Sequence, residues 1–136
     1  MRSGLVVDAS VALSWGFDDE DGGYSDRVLD EMVDGYVVVP SIWRFEVANG
    51  LAQAIRSRRS NENVAVALDR VVRSLEVHED PVAWPIEELA RTALQWRVTP
   101  YDASYVILAH TTGLPLATQD KAMRRAATAV GVPVFA

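Results

Sequence analysis

The chain has 136 residues and no cysteine. That excludes a disulfide scaffold, a thiolate zinc site and a cysteine nucleophile together. A chain this long buries roughly two-thirds of its unfolded surface, so its core needs no such staple. Lysine is nearly absent as well: Lys121 is the only one, and arginine supplies the rest of the thirteen basic residues. Nineteen acids outnumber them, leaving a formal charge of −6, which argues against binding nucleic acid by general phosphate attraction. Only two histidines occur, His78 and His110, and neither has a ligand partner at useful spacing. Both read as surface or core residues. No apolar run approaches the ~18 residues of a membrane span. The N-terminal MRSGLVVDAS has too short an apolar stretch for a signal peptide and meets Asp8 at once. The expectation is a soluble, cytoplasmic protein without a membrane partner.

What is present is an ordinary globular mixture, 49% hydrophobic and 24% charged, punctuated as alternating strands and helices. Leu5–Val7 reads as a buried first strand ending at Asp8, and Ala9–Trp15 as a short helix. An acidic loop spans Phe17–Gly23, followed by a helix over Tyr24–Val33 and a strand over Tyr36–Val39 that Pro40 stops. Helices follow at Ser41–Arg56 and Val64–Ser74, with a polar turn over Ser57–Asn63 between them. Leu75–Val77 reads as a brief strand, Ile86–Arg97 as a helix after the Pro81–Pro85 connection, and Thr99–Thr112 as a helix stopped by Gly113. Leu116–Thr118 is a strand, Lys121–Val130 a helix and Val132–Phe135 a last strand. Short apolar strands separated by helices indicate a parallel sheet covered on both faces. With no repeat, linker or low-complexity segment, residues 1–136 form one α/β domain.

Four carboxylates stand out because their surroundings are apolar. Asp8 follows a strand and precedes a helix, so it caps that helix on the plainest reading. Asp102 is the third residue of a helix opened by Thr99 and Pro100, a good capping arrangement. Asp120 occupies another strand-to-helix junction. Glu46 shares a narrow helical stripe with Asn49, Gly50 and Gln53, opposite Trp43, Val47, Leu51 and Ile55. The set carries more than its members. In a doubly wound sheet the carboxyl ends of parallel strands face one crevice, and Asp8 and Asp120 are both expected there. Carboxylates about 4 Å apart repel by roughly 4 kcal/mol at an effective dielectric near 20. Convergence therefore demands proton uptake or a divalent cation, and an all-oxygen ligand set favours Mg²⁺ or Mn²⁺.

The blocks VVDAS, EVANGL, YDASYVILA and LATQD, in this order and spacing, resemble the four signature blocks of PIN-domain nucleases, closely so for the VapC-like toxin branch. The resemblance covers essentially the whole chain. It implies a three-layer α/β/α PIN-like domain with a short-stranded parallel central sheet, and a metal-dependent endoribonuclease acting as the toxin of a toxin–antitoxin pair. Carried over by position, Asp8, Glu46, Asp102 and Asp120 form the acidic metal and catalytic site, with Ser10, Asn49 and Thr118 as supporting polar groups. The chain departs from the usual pattern after Asp120, where many relatives carry a further acid and this one reads Lys121, Ala122, Met123. The resemblance also implies a homodimer held inactive by a small cognate antitoxin, with RNA as substrate.

The expected chemistry is attack by a metal-activated water, leaving a 5′-phosphate and a 3′-hydroxyl. Asp8 and Asp102 are expected as principal ligands, Asp120 as a direct or water-mediated one, and Glu46 as ligand or proton acceptor. Lys121, Arg124 and Arg125 are candidate phosphate contacts, and Arg56, Arg58 and Arg59 a weaker set, because arginine at a helix C-terminus is favourable by itself. Trp15 and Trp43 read as core or as flanks of an entrance. Two other classes fit less well. An Asp-based phosphoryl-transfer domain wants a second acid near Asp8 where Ser10 stands, and a non-catalytic PIN-like binding or assembly module would be marked by loss of one or more of the four acids.

Overall fold

The structure, a computed structural model, describes residues 2–17, 22–58 and 60–136. The acidic stretch of the Phe17–Gly23 loop and Arg59 lie outside the described residues. Among the described residues four strands form one parallel sheet: β1 (Gly4–Val7), β2 (Tyr36–Pro40), β3 (Val77–Asp80) and β4 (Leu116–Ala117), in the order β3-β2-β1-β4. The helices are α1 (Ala9–Ser14), α2 (Tyr24–Val33), α3 (Trp43–Arg56), α4 (Glu62–Ser74), α5 (Ile86–Trp96), α6 (Pro100–Thr112) and α7 (Lys121–Ala129). The parallel α/β sheet expected from the punctuation is present.

All four residues of β1 are buried. Its run GLVV lacks apolar–polar alternation because both faces of a central parallel strand are covered. The helix packed on β1 and β2 is α6. Ala103, Tyr105, Val106, Ile107, Leu108 and Ala109 are all buried, as a helix apolar on most sides requires. Its ends follow the capping arrangement expected. The Asp102 N–H donates to Thr99 Oγ1 at 3.1 Å, Pro100 opens the helix, and Gly113 closes it in the left-handed region at φ 71°.

Two strands differ from expectation. The third lies at Val77–Asp80 rather than Leu75–Val77. Its residues His78 and Glu79 are exposed, so no apolar pattern marks it. Pairing with β2 defines it, beginning with the Val37 N–H donating to the Glu76 carbonyl at 2.8 Å. The last expected strand, Val132–Phe135, reduces to one bridge between Leu116 and Val134. Leu116 donates to the Pro133 carbonyl and accepts from the Phe135 N–H, both at 2.9 Å. A two-residue β4 has little further backbone to offer.

The strand order creates the crevice. The chain lays β2 and β3 on one side of β1 and returns to place β4 on the other, so the reversal lies between β1 and β4. Asp8 immediately follows β1, and Thr118 to Asp120 immediately follow β4.

Gly35 guards the entry into β2. A Cβ there would overlap the Ser3 carbonyl oxygen and lie 3.1 Å from the Glu31 carbonyl. Ser3 O already accepts the Tyr36 N–H at 3.0 Å, so it has little freedom to yield. Gly35→Ala is expected to cost about 1–3 kcal/mol through overpacking. A lower urea midpoint at unchanged slope would register it; an unchanged midpoint would contradict it.

Candidate active site

Asp8 is 7% exposed and caps α1. Its two oxygens divide the work. Oδ2 accepts the Ser10 hydroxyl and the Thr118 hydroxyl, each at 2.8 Å, while among the described residues Oδ1 has only a long 3.5 Å contact from the Ser10 N–H. Thr118 is fully buried, and its Oγ1 also accepts the Asp120 N–H at 3.1 Å. One hydroxyl thus couples the two strand-end acids. Asp120 caps α7, with Oδ1 accepting from the Met123 N–H at 2.8 Å. The capping roles of these acids are real, and a carboxylate that caps with one oxygen still presents the other.

Glu46 lies in the first turn of α3 and is half-buried. Its Oε1 accepts the Tyr105 hydroxyl at 2.6 Å. Neighbouring Gly50 belongs to the packing: a Cβ there would collide with the Leu13 side chain, so its absence lets α1 and α3 approach closely. Asp102 is half-buried at the start of α6. The four carboxylates line one pocket of about 280 Å³, together with Ala9, Ser10, Leu13 and Met123. Among the described residues no three His, Asp or Glu side chains stand at metal-ligating spacing. The acids share a pocket without closing a coordination shell.

Burial, with mutual repulsion added, shifts Asp102, Asp8 and Glu46 toward the protonated form. Burial, then the charges of Asp120, Asp8 and Glu46, pushes the Asp102 carboxyl up to about 6. Burial also raises Asp8, aided by Asp120 and opposed by hydrogen bonds from Thr118 and Ser10. Glu46 is raised by burial and by Asp8, against the Tyr105 hydrogen bond. Burial, then the hydrogen bond to Glu46, lifts the Tyr105 phenol above its ordinary range, so it remains a donor. An all-oxygen set that repels itself this way fits a hard divalent cation such as Mg²⁺ or Mn²⁺.

A pH dependence follows. Unfolded, Asp102 loses its proton near pH 4; folded, it keeps it to about pH 6. Folded-state stability therefore declines as pH rises through this interval and stays lower above it. Asp8 and Glu46 act in the same direction. Glu76, held down to about 2 by Arg2 and His78, acts in the opposite sense but only below pH 4.5. Solvent screening of half-buried Asp102 reduces the effect to roughly 1 kcal/mol, or about 3 °C. In EDTA, the melting temperature is expected to be higher at pH 5 than at pH 7, with Asp102→Asn flattening the trend. A trend of opposite sign would refute this.

The remaining candidate residues scatter. Asn49 is exposed on α3 and does not line the pocket. Lys121 and Arg125 are exposed on α7. Arg124 is committed elsewhere, since its Nε donates to the Thr118 carbonyl at 2.6 Å and its guanidinium lies 5.3 Å from the Tyr24 ring centroid. Arg56 and Arg58 are exposed at the far end of α3. His78 is exposed, with Nε2 2.7 Å from Glu76 Oε2, and His110 is exposed late in α6. Trp15 is half-buried, its Nε1 donating to the Ser25 carbonyl at 2.9 Å, and Trp43 is core.

Two tyrosines went unremarked in the sequence. Tyr24, 2% exposed, accepts the Thr118 N–H at 3.1 Å and donates to the Phe135 carbonyl at 2.8 Å. It anchors the segment that holds Asp8 from beneath. Tyr105 binds Glu46. Its position three residues after Asp102 was the available signal, because that spacing places both on one helical face.

Comparison with known proteins agrees with the fold. A family model described as "PIN domain" matches residues 5–129. A curated relative, "Exonuclease VapC9" of Pyrobaculum aerophilum, is 38% identical over 78 residues, 57% of this chain and 56% of that protein. The match thus spans little more than half of that relative's length. The crystal structure of PAE2754 from P. aerophilum aligns with a TM-score of 0.64 at 28% identity, over 93% of this chain and 87% of that one. The PilT N-terminus domain protein SSO1118 of Sulfolobus solfataricus P2 aligns at 0.51 with 14% identity, over 97% and 85%, and shows the fold alone.

Proposed function

We propose that this chain, which belongs to the PIN-domain family, is a Mg²⁺- or Mn²⁺-dependent nuclease that cuts RNA phosphodiester bonds as the toxin of a toxin–antitoxin pair. The observation that carries the reading is one pocket lined by Asp8, Glu46, Asp102 and Asp120, four acids from four separate elements meeting at the sheet's reversal. The relative named VapC9 supports the toxin assignment, and its name specifies an exonuclease. Cutting within the strand is the form proposed here.

Asp8, Asp102 and Asp120 would hold the cation, and Glu46 would ligate it or accept the proton of the attacking water. Bound there, a divalent ion neutralises the phosphoryl oxygens and makes water a better nucleophile at neutral pH. Ser10 and Thr118 hold Asp8 so that its less engaged oxygen is available. Exposed Lys121 and Arg125 supply positive charge for RNA phosphates in an otherwise acidic chain. The partners proposed are a small antitoxin, with an arginine or lysine presented to the acids, and a second copy of this chain.

The test is cleavage of total RNA by the purified chain, freed of bound partner, with Mg²⁺ or Mn²⁺ and in EDTA. Metal-dependent fragments bearing 5′-phosphates are expected, and circular RNA should be linearised. Failure to cut circles while linear RNA is trimmed would make the enzyme an exonuclease. Products ending in 2′,3′-cyclic phosphates would overturn the water-attack chemistry. Metal binding without turnover on any RNA would favour a binding module instead.

A further inference from the structure

We infer that Tyr105 is the positioning residue of the acidic pocket, a single hydroxyl that sets the orientation of Glu46 relative to Asp8 and Asp102. The inference rests on the metal-dependent nuclease reading and extends it to a residue outside the four acids.

Tyr105 is fully buried, so its ring is fixed by the core on which α6 packs. Its hydroxyl reaches out of that core to α3. It donates to Glu46 Oε1 on α3 at 2.6 Å. Tyr105 itself stands three residues after Asp102 on α6. One hydrogen bond therefore ties α6, which carries Asp102, to α3, which carries Glu46.

The chemical consequence is selective. A free glutamate rotates about three side-chain bonds and presents either oxygen, or both. With Oε1 engaged by Tyr105, Glu46 is oriented to act through its less engaged Oε2, whether toward an ion or toward water. Ordering the side chain beforehand removes a cost that binding or reaction would otherwise carry. Tyr105 touches neither substrate nor ion on this account. It acts through Glu46.

Tyr105→Phe keeps the ring and removes the hydroxyl. Its kcat for RNA cleavage is expected to fall about 10- to 100-fold, the range for loss of a group that orients a ligand, with KM within about twofold of wild type. Titration calorimetry with Mn²⁺ alone is expected to show weaker binding by about 10-fold. The decisive comparison is the double variant Tyr105→Phe/Glu46→Gln. If Tyr105 works through Glu46, the double variant is no worse than Glu46→Gln alone in either readout. Multiplicative losses would assign Tyr105 a general packing role and overturn the inference, as would wild-type kcat and Mn²⁺ affinity in Tyr105→Phe. Should Tyr105→Phe not fold, Glu46→Asp retains the charge on a stem too short to reach the phenol and is expected to show the same kcat and Mn²⁺ losses; wild-type behaviour there overturns the inference. Mn²⁺ binding separates the two failures. A wild-type chain that binds Mn²⁺ but cuts no RNA loses the nuclease reading while the calorimetric cycle still decides Tyr105. A wild-type chain that neither binds nor cuts overturns both.

Discussion

Asp8→Asn is expected to lower kcat for RNA cleavage about 10³-fold, a loss near 4 kcal/mol of transition-state stabilisation. The fold should tolerate the change. Asparagine's carbonyl oxygen can occupy the Oδ2 position that accepts the Ser10 and Thr118 hydroxyls, at the loss only of the long 3.5 Å capping contact from the Ser10 N–H. Burial works against the charged form of Asp8, so removing that charge should leave the melting temperature in EDTA unchanged or slightly higher. The rise in melting temperature on adding Mn²⁺ should shrink or vanish. Activity and metal response are thus expected to fall while metal-free stability holds. A variant that loses activity only because it unfolds would show the reverse in EDTA, and one that retains full activity would remove Asp8 from the chemistry.

The largest stability effect is expected at Trp43. Its side chain is 1% exposed, among the largest wholly buried groups in the molecule. It also lines the cleft between α3 and α4 with Val47, Leu51, Leu68 and Val72. Trp43→Ala is expected to cost about 3–5 kcal/mol through lost burial and the cavity left behind. Against a total of roughly 5–15 kcal/mol for a domain, that endangers folding at 37 °C. Trp43→Phe should be far milder. The indole Nε1 has no hydrogen-bond partner among the described residues, so phenylalanine removes a buried donor whose desolvation is uncompensated. Urea denaturation of both variants checks the contrast. Equal losses would mean that the indole contributes by its size alone.

Much of this arrangement was legible in the chain before any coordinates. The Thr99–Pro100–Asp102 opening of α6, its end at Gly113 and the two acids at strand ends depend on local chemistry, which sequence records directly. What was illegible depends on contacts between distant segments. Glu46 and Tyr105 are 59 residues apart and Asp8 and Thr118 are 110 apart, so no local pattern announces either pair. Capping and site roles are compatible in Asp8 and Asp120, because each carboxylate has two oxygens and only one need cap. The polar edge strand β3 failed for a different reason. Edge strands can be exposed and charged, and VHED carries no alternation to detect. Gly50 lowers helix propensity on the Glu46 stripe, and its explanation lies across the interface in Leu13.

The Asp8–Thr118 hydrogen bond also fixes when the pocket exists during synthesis. Its two halves lie 110 residues apart, and β4, only two residues long, has β1 as its strand partner. A ribosome adding about 5–20 residues per second will have released Asp8 and Glu46 several seconds before Thr118 and Asp120 follow. Until then Asp8 has the Ser10 hydroxyl but not that of Thr118, and the early acids lack the fourth carboxylate. The pocket is therefore a property of the finished chain alone, and any product truncated before β4 is built without it.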